Sequence, residues 1–247
     1  MLAPGWAKRL ARMEAKLKHG KASTALEMAR HGADMMALRT LVIDEHARNA
    51  VREGKRQLVI LGAGLDGRAY RLTELGDVDV FEVDHPATQS FKKQRTADLP
   101  RVAKSIVFVE VDFERDRLEE RLARAGYRAS LPTVWLWEGV VMYLTREATR
   151  ETLRSIASST AASASLIINY HTQRRSWLVN QLLRLWSEPQ IGEWTPAEIT
   201  SELDGHGFRV VADTSAADWA AQYRVKTPRY GLRDAVRVLL ARRADRA

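Results

Sequence analysis

Cysteine is absent from this 247-residue chain, which excludes disulfides, thiolate nucleophiles and cysteine-based zinc sites. No apolar run reaches the roughly 18 residues that a membrane-spanning helix needs, so no span is expected. The opening residues, Met1 to Leu10, hold no uninterrupted apolar core before a small-residue cleavage site. No secretory leader is expected from them, and the cytoplasm is the expected compartment. No pair among the histidines stands at helical metal-ligand spacing, so no metal site is expected. Repeats and low-complexity linkers are missing as well.

What is present is the composition of a globular chain, 45% hydrophobic and 28% charged, long enough to bury a core without crosslinks. The formal charge of +8 invites a nucleic-acid reading. The cations are interleaved with acids, as in Arg115-Asp-Arg-Leu-Glu-Glu-Arg121, and read as solvated helix faces. No nucleic-acid partner is expected; an anionic small substrate suits the charge equally well.

Residues 1–54 carry helical periodicity and predict an N-terminal helical lid. Trp6, Leu10, Met13 and Leu17 form one stripe, Gly20 breaks it, and Ser23 or Thr24 caps a second helix. From 55 to 247 the pattern is that of a single α/β domain. Strands are predicted at Leu58–Leu61, Val78–Val83, Ile106–Val111, Thr133–Trp137, Ser165–Asn169 and Phe208–Ala212, with helices around 66–74, 86–97, 115–125 and 145–158. Such alternation implies βαβ units and a mostly parallel sheet covered on both faces. Residues 171–194, with Trp177, Trp186 and Trp194, read as an amphipathic insertion over the acceptor site. Thr195 is placed to cap a helix ending near His206, and a last helix is expected near 231–242. That helix and the stripe at 6–17 are candidate homodimer surfaces.

The sharpest local signal is Leu58-Val-Ile-Leu-Gly62-Ala-Gly64-Leu-Asp66-Gly67-Arg68, a hydrophobic strand running into a glycine turn and then a helix. Gly62 and Gly64 let a ligand approach the backbone at the carboxyl end of the first strand. Twenty residues beyond Gly62, the second strand ends in Glu82-Val-Asp84, where a carboxylate can accept from ribose hydroxyls. Gly62, Gly64 and Gly67 satisfy the dinucleotide fingerprint, so a nicotinamide dinucleotide is one candidate. Asp66 argues against it, because a carboxylate inside the turn repels a pyrophosphate. S-adenosyl-L-methionine carries an ammonium and a sulfonium and no phosphate, and tolerates that acid. Asp66 is read equally well as an N-cap of the following helix.

These blocks, with Ala69-Tyr-Arg-Leu72 and Phe81-Glu-Val-Asp-His-Pro86, resemble the leucine carboxyl methyltransferase family. Further matches are Arg39-Thr40 with Ile43-Asp44, Val111-Asp112-Phe113 and Trp135-Leu-Trp-Glu138-Gly-Val-Val-Met-Tyr143-Leu. They run in order over about residues 36–225. The resemblance implies a Rossmann-like class I methyltransferase fold with a seven-stranded sheet, and S-adenosyl-L-methionine as cofactor. It further implies that Arg39 pairs with the carboxylate of the methionine moiety, which Gly62 and Gly64 also line. Asp84 would hold the ribose, with Glu82 supporting the strand end. Asp112 and the Phe113 N–H would meet the adenine, and Glu138 would face the ammonium and sulfonium. Two departures bear on the acceptor: the segment before Arg39 is short for the family, and Gln222 stands where many bacterial relatives carry arginine.

Methyl transfer needs chiefly alignment of the nucleophile, which can supply about 7–11 kcal/mol. A carboxylate with a pKa of about 4 needs no base, whereas a phenol with a pKa of about 10 does. The expected reaction is therefore O-methylation of a small-molecule carboxylate, of the kind found in secondary metabolism, with an anionic and aromatic or apolar acceptor. Methylation of a hydroxyl with His171 as base is the alternative. The amine-methylating Asp/Asn-Pro-Pro-aromatic block is absent, and Trp137-Glu138-Gly139-Val140 stands in its place. A non-catalytic binding module on the same fold is the remaining reading.

Overall fold

A computed structural model describes residues 24–112, 115–160, 163–172, 192–225 and 234–243. The chain begins there with one long helix, α1 (Thr24–Arg52), and enters the sheet at β1 (Gln57–Leu61). There follow α2 (Arg68–Arg71), a 3-10 turn at Thr73–Asp77, β2 (Asp79–Asp84), α3 (Pro86–Thr96), β3 (Ser105–Glu110), α4 (Leu118–Arg124) and β4 (Thr133–Trp137). The second half holds α5 (Arg146–Ser158), β5 (Ala164–His171), α6 (Pro196–Gly205), β6 (Arg209–Ser215), α7 (Ala216–Gln222) and β7 (Val236–Arg243).

The seven strands lie in the order β3-β2-β1-β4-β5-β7-β6. The pairings among β1 to β5 are parallel, and β7 runs antiparallel to both β5 and β6. Every residue of β1, β4 and β5 is buried, as expected of parallel strands with helices on both faces. One face packs Leu38, Val42, Ile43, Ala47 and Ala50 of α1 with Trp219 of α7 against the sheet. The other packs Leu122 of α4, Leu153 and Ile156 of α5, and Ile199 and Leu203 of α6. The chain winds outward from β1 to β3 and returns to β4 on the far side of β1. That reversal opens a crevice at the carboxyl ends of β1 and β4.

Thr195 caps α6 as the sequence predicts, in a capping box with Glu198. The tail does not form the expected helix: Val236–Arg243 is a strand. Its Val238, Leu239, Leu240 and Ala241 are consecutive and all buried, because a strand between two others hides both faces whereas a surface helix hides one stripe. Of the 171–194 insertion, residues 173–191 lie outside the described residues, as do residues 1–23 of the N-terminal stretch.

Candidate cofactor cleft

At the reversal point lies a cleft of about 310 Å³, with Arg39, Gly62, Gly64, Asp66, Arg68 and Glu138 in its walls. Gly62 and Gly64 both have positive φ, +66 and +45, which carries the chain off β1 in a turn that side-chain-bearing residues rarely adopt. A Cβ on Gly62 would come within 2.4 Å of Val140 Cγ2, so the turn after β1 and the turn after β4 pack against each other there. The Ala63 N–H donates to the Val83 carbonyl at 3.0 Å and ties the same turn to β2.

Asp84 stands behind that turn, outside the cleft walls. Its Oδ2 accepts from the Gly64 N–H at 2.6 Å and its Oδ1 from the His85 N–H at 2.7 Å. The carboxylate is thereby fixed beside the glycine turn, with lone pairs left for a ligand. Glu82, one pleat earlier, is fully buried and pairs with the equally buried Lys92 of α3 at 2.6 Å. It supports the strand end. Burial pushes the Glu82 carboxyl up to about 7, against the pull of Lys92.

The opposite wall is ionic. Arg39 sits on α1 one turn before the core residue Ile43, which aims it over the end of β4. Its Nε and Nη2 reach Glu138 Oε1 at 2.9 and 2.8 Å, and its Nη1 lies 3.5 Å from Asn169 Oδ1. The second oxygen of Glu138, Oε2, lies 2.8 Å from Arg68 Nη2. Arg68 also donates from Nε to Asp44 at 2.7 Å and pairs with Asp66. Burial opposes its charge, but the carboxylates of Asp66, Glu138 and Asp44 outweigh that and raise its pKa above the ordinary arginine value. Asp44, buried on α1, also binds Arg71. Three arginines and two carboxylates line the cleft, and Asp44 behind them completes the balance of charge.

Asp66 serves the protein rather than an open anion site. Its Oδ1 accepts the Arg68 N–H at 2.7 Å, satisfying the donor that a pyrophosphate would use. The helix behind it, α2, is four residues long and has little dipole to offer a phosphate.

The structure therefore gathers Arg39, Gly62, Gly64 and Glu138 into one cleft, with Asp84 bonded to its floor. Asp112 lies along the same carboxyl edge, two residues past β3, with its N–H bonded to Asp116 at 2.9 Å. It does not line the cleft. Phe113 lies outside the described residues. His171 is the last residue of β5, buried, and outside the cleft walls. Strand alternation puts it on the same sheet face as Asn169, which touches Arg39. Two residues escaped the sequence reading. Arg68 reads as a helix start, and Asn169 as an ordinary strand residue. Asn169 Oδ1 also accepts from the Gly139 N–H at 3.3 Å, joining the ends of β4 and β5.

The sheet order, with β7 inverted between β5 and β6 and a glycine turn at the reversal point, defines a Rossmann-like methyltransferase fold. Among solved structures, a protein from Thermobifida fusca named as a methyltransferase superposes with a TM-score of 0.65 at 17% identity, covering 86% of this chain and 82% of that one. An O-methyltransferase family protein from Burkholderia thailandensis gives 0.56 at 16% identity, over 98% and 70% of the two chains. The sequence of residues 2–157 matches the leucine carboxyl methyltransferase model. The chain belongs to the leucine carboxyl methyltransferase family.

A relative in Mycobacterium avium, named as an S-adenosyl-L-methionine-dependent methyltransferase, is 33% identical over 73% of this chain and 61% of its own length. One of the same name in Mycolicibacterium paratuberculosis is 32% identical over 84% and 69%. The chain accordingly spans less than two thirds of the first relative's length.

Proposed function

We propose that this protein is an S-adenosyl-L-methionine-dependent O-methyltransferase that esterifies a small-molecule carboxylate. The observation that carries the reading is the pairing of opposite charges, Arg39 and Glu138, beside the Gly62–Gly64 turn. A ligand that bears both a carboxylate and an ammonium is complementary to that pair, and each side chain has a fork or an oxygen to offer it. Asp84, held beside the turn, suits a diol. The donor set therefore fits the methyl donor, and the self-satisfied Asp66 turn suits a dinucleotide poorly.

The sulfonium of such a cofactor supplies an activated methyl group. What falls to the protein is to hold the acceptor in line and keep water out. An ionised carboxylate needs no proton removed, so a cleft with no histidine among its described walls suits that acceptor. Leu65, 65% exposed at the tip of the turn, gives the cleft mouth an apolar margin. That margin suits an apolar or aromatic acid.

Calorimetric titration with S-adenosylhomocysteine and, separately, NAD tests the cofactor. Micromolar binding of the first, lost in Arg39→Ala, is expected; preference for NAD would overturn the reading. The alternative acceptor, a hydroxyl with His171 as base, draws on the burial of His171 on the Asn169 face of β5. For carboxylate methylation, His171→Ala is expected to retain turnover within about tenfold. A loss of about 100-fold or more with cofactor binding intact would instead match removal of a general base.

A further inference from the structure

Glu138 is held by two arginines that differ in how firmly they are themselves held. Arg39 has Glu138 and the 3.5 Å contact to Asn169, and its side chain is 16% exposed. Arg68 is 3% exposed and locked from three directions, by Asp44 of α1, by Asp66 of the glycine turn and by Glu138. One arginine is therefore free to exchange partners and the other is not. If a ligand carboxylate draws Arg39 away, a carboxylate only 13% exposed loses half its counter-charge. An isolated carboxylate in that setting takes up a proton and ceases to attract an ammonium.

We propose that Arg68 is a positioning residue, a fixed counter-ion that keeps Glu138 charged and aimed into the cleft while Arg39 turns to the ligand. Arg68 makes no contact with the ligand in this role; it acts through Glu138. The fork geometry explains why an arginine occupies the position. One guanidinium reaches three carboxylates on three different segments, whereas an ammonium on a single stem supplies the same charge with fewer contacts. Among the described residues, Glu138 meets Arg39 from α1 and Arg68 from α2; behind them Arg68 meets Asp44 from α1 and Asp66 from the turn, Asp44 meets Arg71, and Arg39 meets the neutral Asn169 from β5. Their charges balance only while Arg68 is present.

The inference rests on the proposed cofactor, and the experiment separates the two. Binding of S-adenosylhomocysteine to the full chain is measured by calorimetry between pH 5.5 and 8 for wild type, Arg68→Gln, Arg68→Lys and Arg68→Gln/Glu138→Gln. Wild type that fails to bind at any pH defeats the cofactor assignment itself. With wild type binding, Arg68→Gln is expected to lose about tenfold or more in affinity at pH 5.5 relative to pH 8, beyond any wild-type change, as Glu138 loses its charge. Arg68→Lys, which restores the charge, and the double variant, which has no carboxylate at 138 to titrate, are expected to follow the wild-type profile. A uniform loss at all pH values in Arg68→Gln, or an acid step that persists in the double variant, would overturn the role. Should Arg68→Gln not fold, Arg68→Lys decides: a wild-type profile supports the counter-ion, and a tenfold acid loss refutes it.

Discussion

Replacing Lys92 by methionine is expected to destabilise the protein by about 3–5 kcal/mol, because it strands a carboxylate in the interior without its partner. Glu82 and Lys92 are 0% and 1% exposed, and Gln89, also buried, donates to the Glu82 carbonyl at 2.6 Å rather than to the carboxylate. No other cation is paired with Glu82 among the described residues. Replacing both members, Glu82→Met with Lys92→Met, is expected to be neutral or stabilising, since two desolvation penalties vanish together. Urea unfolding of the three proteins checks this, and a single variant as stable as wild type would show the pair contributes nothing. The pair also has a pH signature. Burial lifts the folded-state Glu82 carboxyl to about 7 from an ordinary 4.5, so between those values the native protein holds more protons than the unfolded chain. Stability from this group is therefore greatest below pH 4.5 and declines as pH rises through 7. The Tm of wild type minus that of Glu82→Gln is expected to fall over the same window.

Asp84→Ala is expected to weaken S-adenosylhomocysteine binding by about 100-fold, or about 2.7 kcal/mol, the scale of one or two hydrogen bonds to a charged acceptor. Two losses combine. The ligand hydroxyls lose their acceptor, and the Gly64 N–H loses the 2.6 Å bond that fixes the turn. Asp84→Asn keeps an oxygen for Gly64 but removes the charge, and is expected to fall between the two. Because Asp84 is partly exposed and anchors only a turn, the Tm of either variant should move far less than that of Lys92→Met. Unchanged affinity in Asp84→Ala would remove this carboxylate from the cofactor site.

The first half of the site was legible because its parts are close in the chain. A strand, a glycine turn and an acid at the next strand end all fall between Leu58 and Asp84, and each is dictated by local backbone needs. Glu138 and Arg39 came from the family resemblance; neither periodicity nor spacing singles them out. Arg68 was not legible, since its significance lies in partners 24 residues before it and 70 after, brought together only when α1 and β4 pack. Asp66 reads in sequence as an N-cap or a ligand group; the cap position falls on Gly67, and Asp66 instead accepts the Arg68 N–H and pairs with its side chain. The strand at 236–243 was misread because a short apolar run with arginines at its ends fits helix and strand periods alike, and only its place between two strands decides.

That place has a consequence for biosynthesis. β6 precedes β7 in the chain, yet β7 is the strand that joins β6 to the rest of the sheet. On a ribosome, residues 209–215 emerge before the strand they pair with, and β5 keeps its outer edge bare until β7 follows. The first five strands can assemble as they appear, whereas the last two must arrive as a hairpin-like pair. Nascent chains that have exposed residues 209–215 but not 236–243 would then carry two unsatisfied strand edges, and these are the intermediates most in need of chaperone shielding.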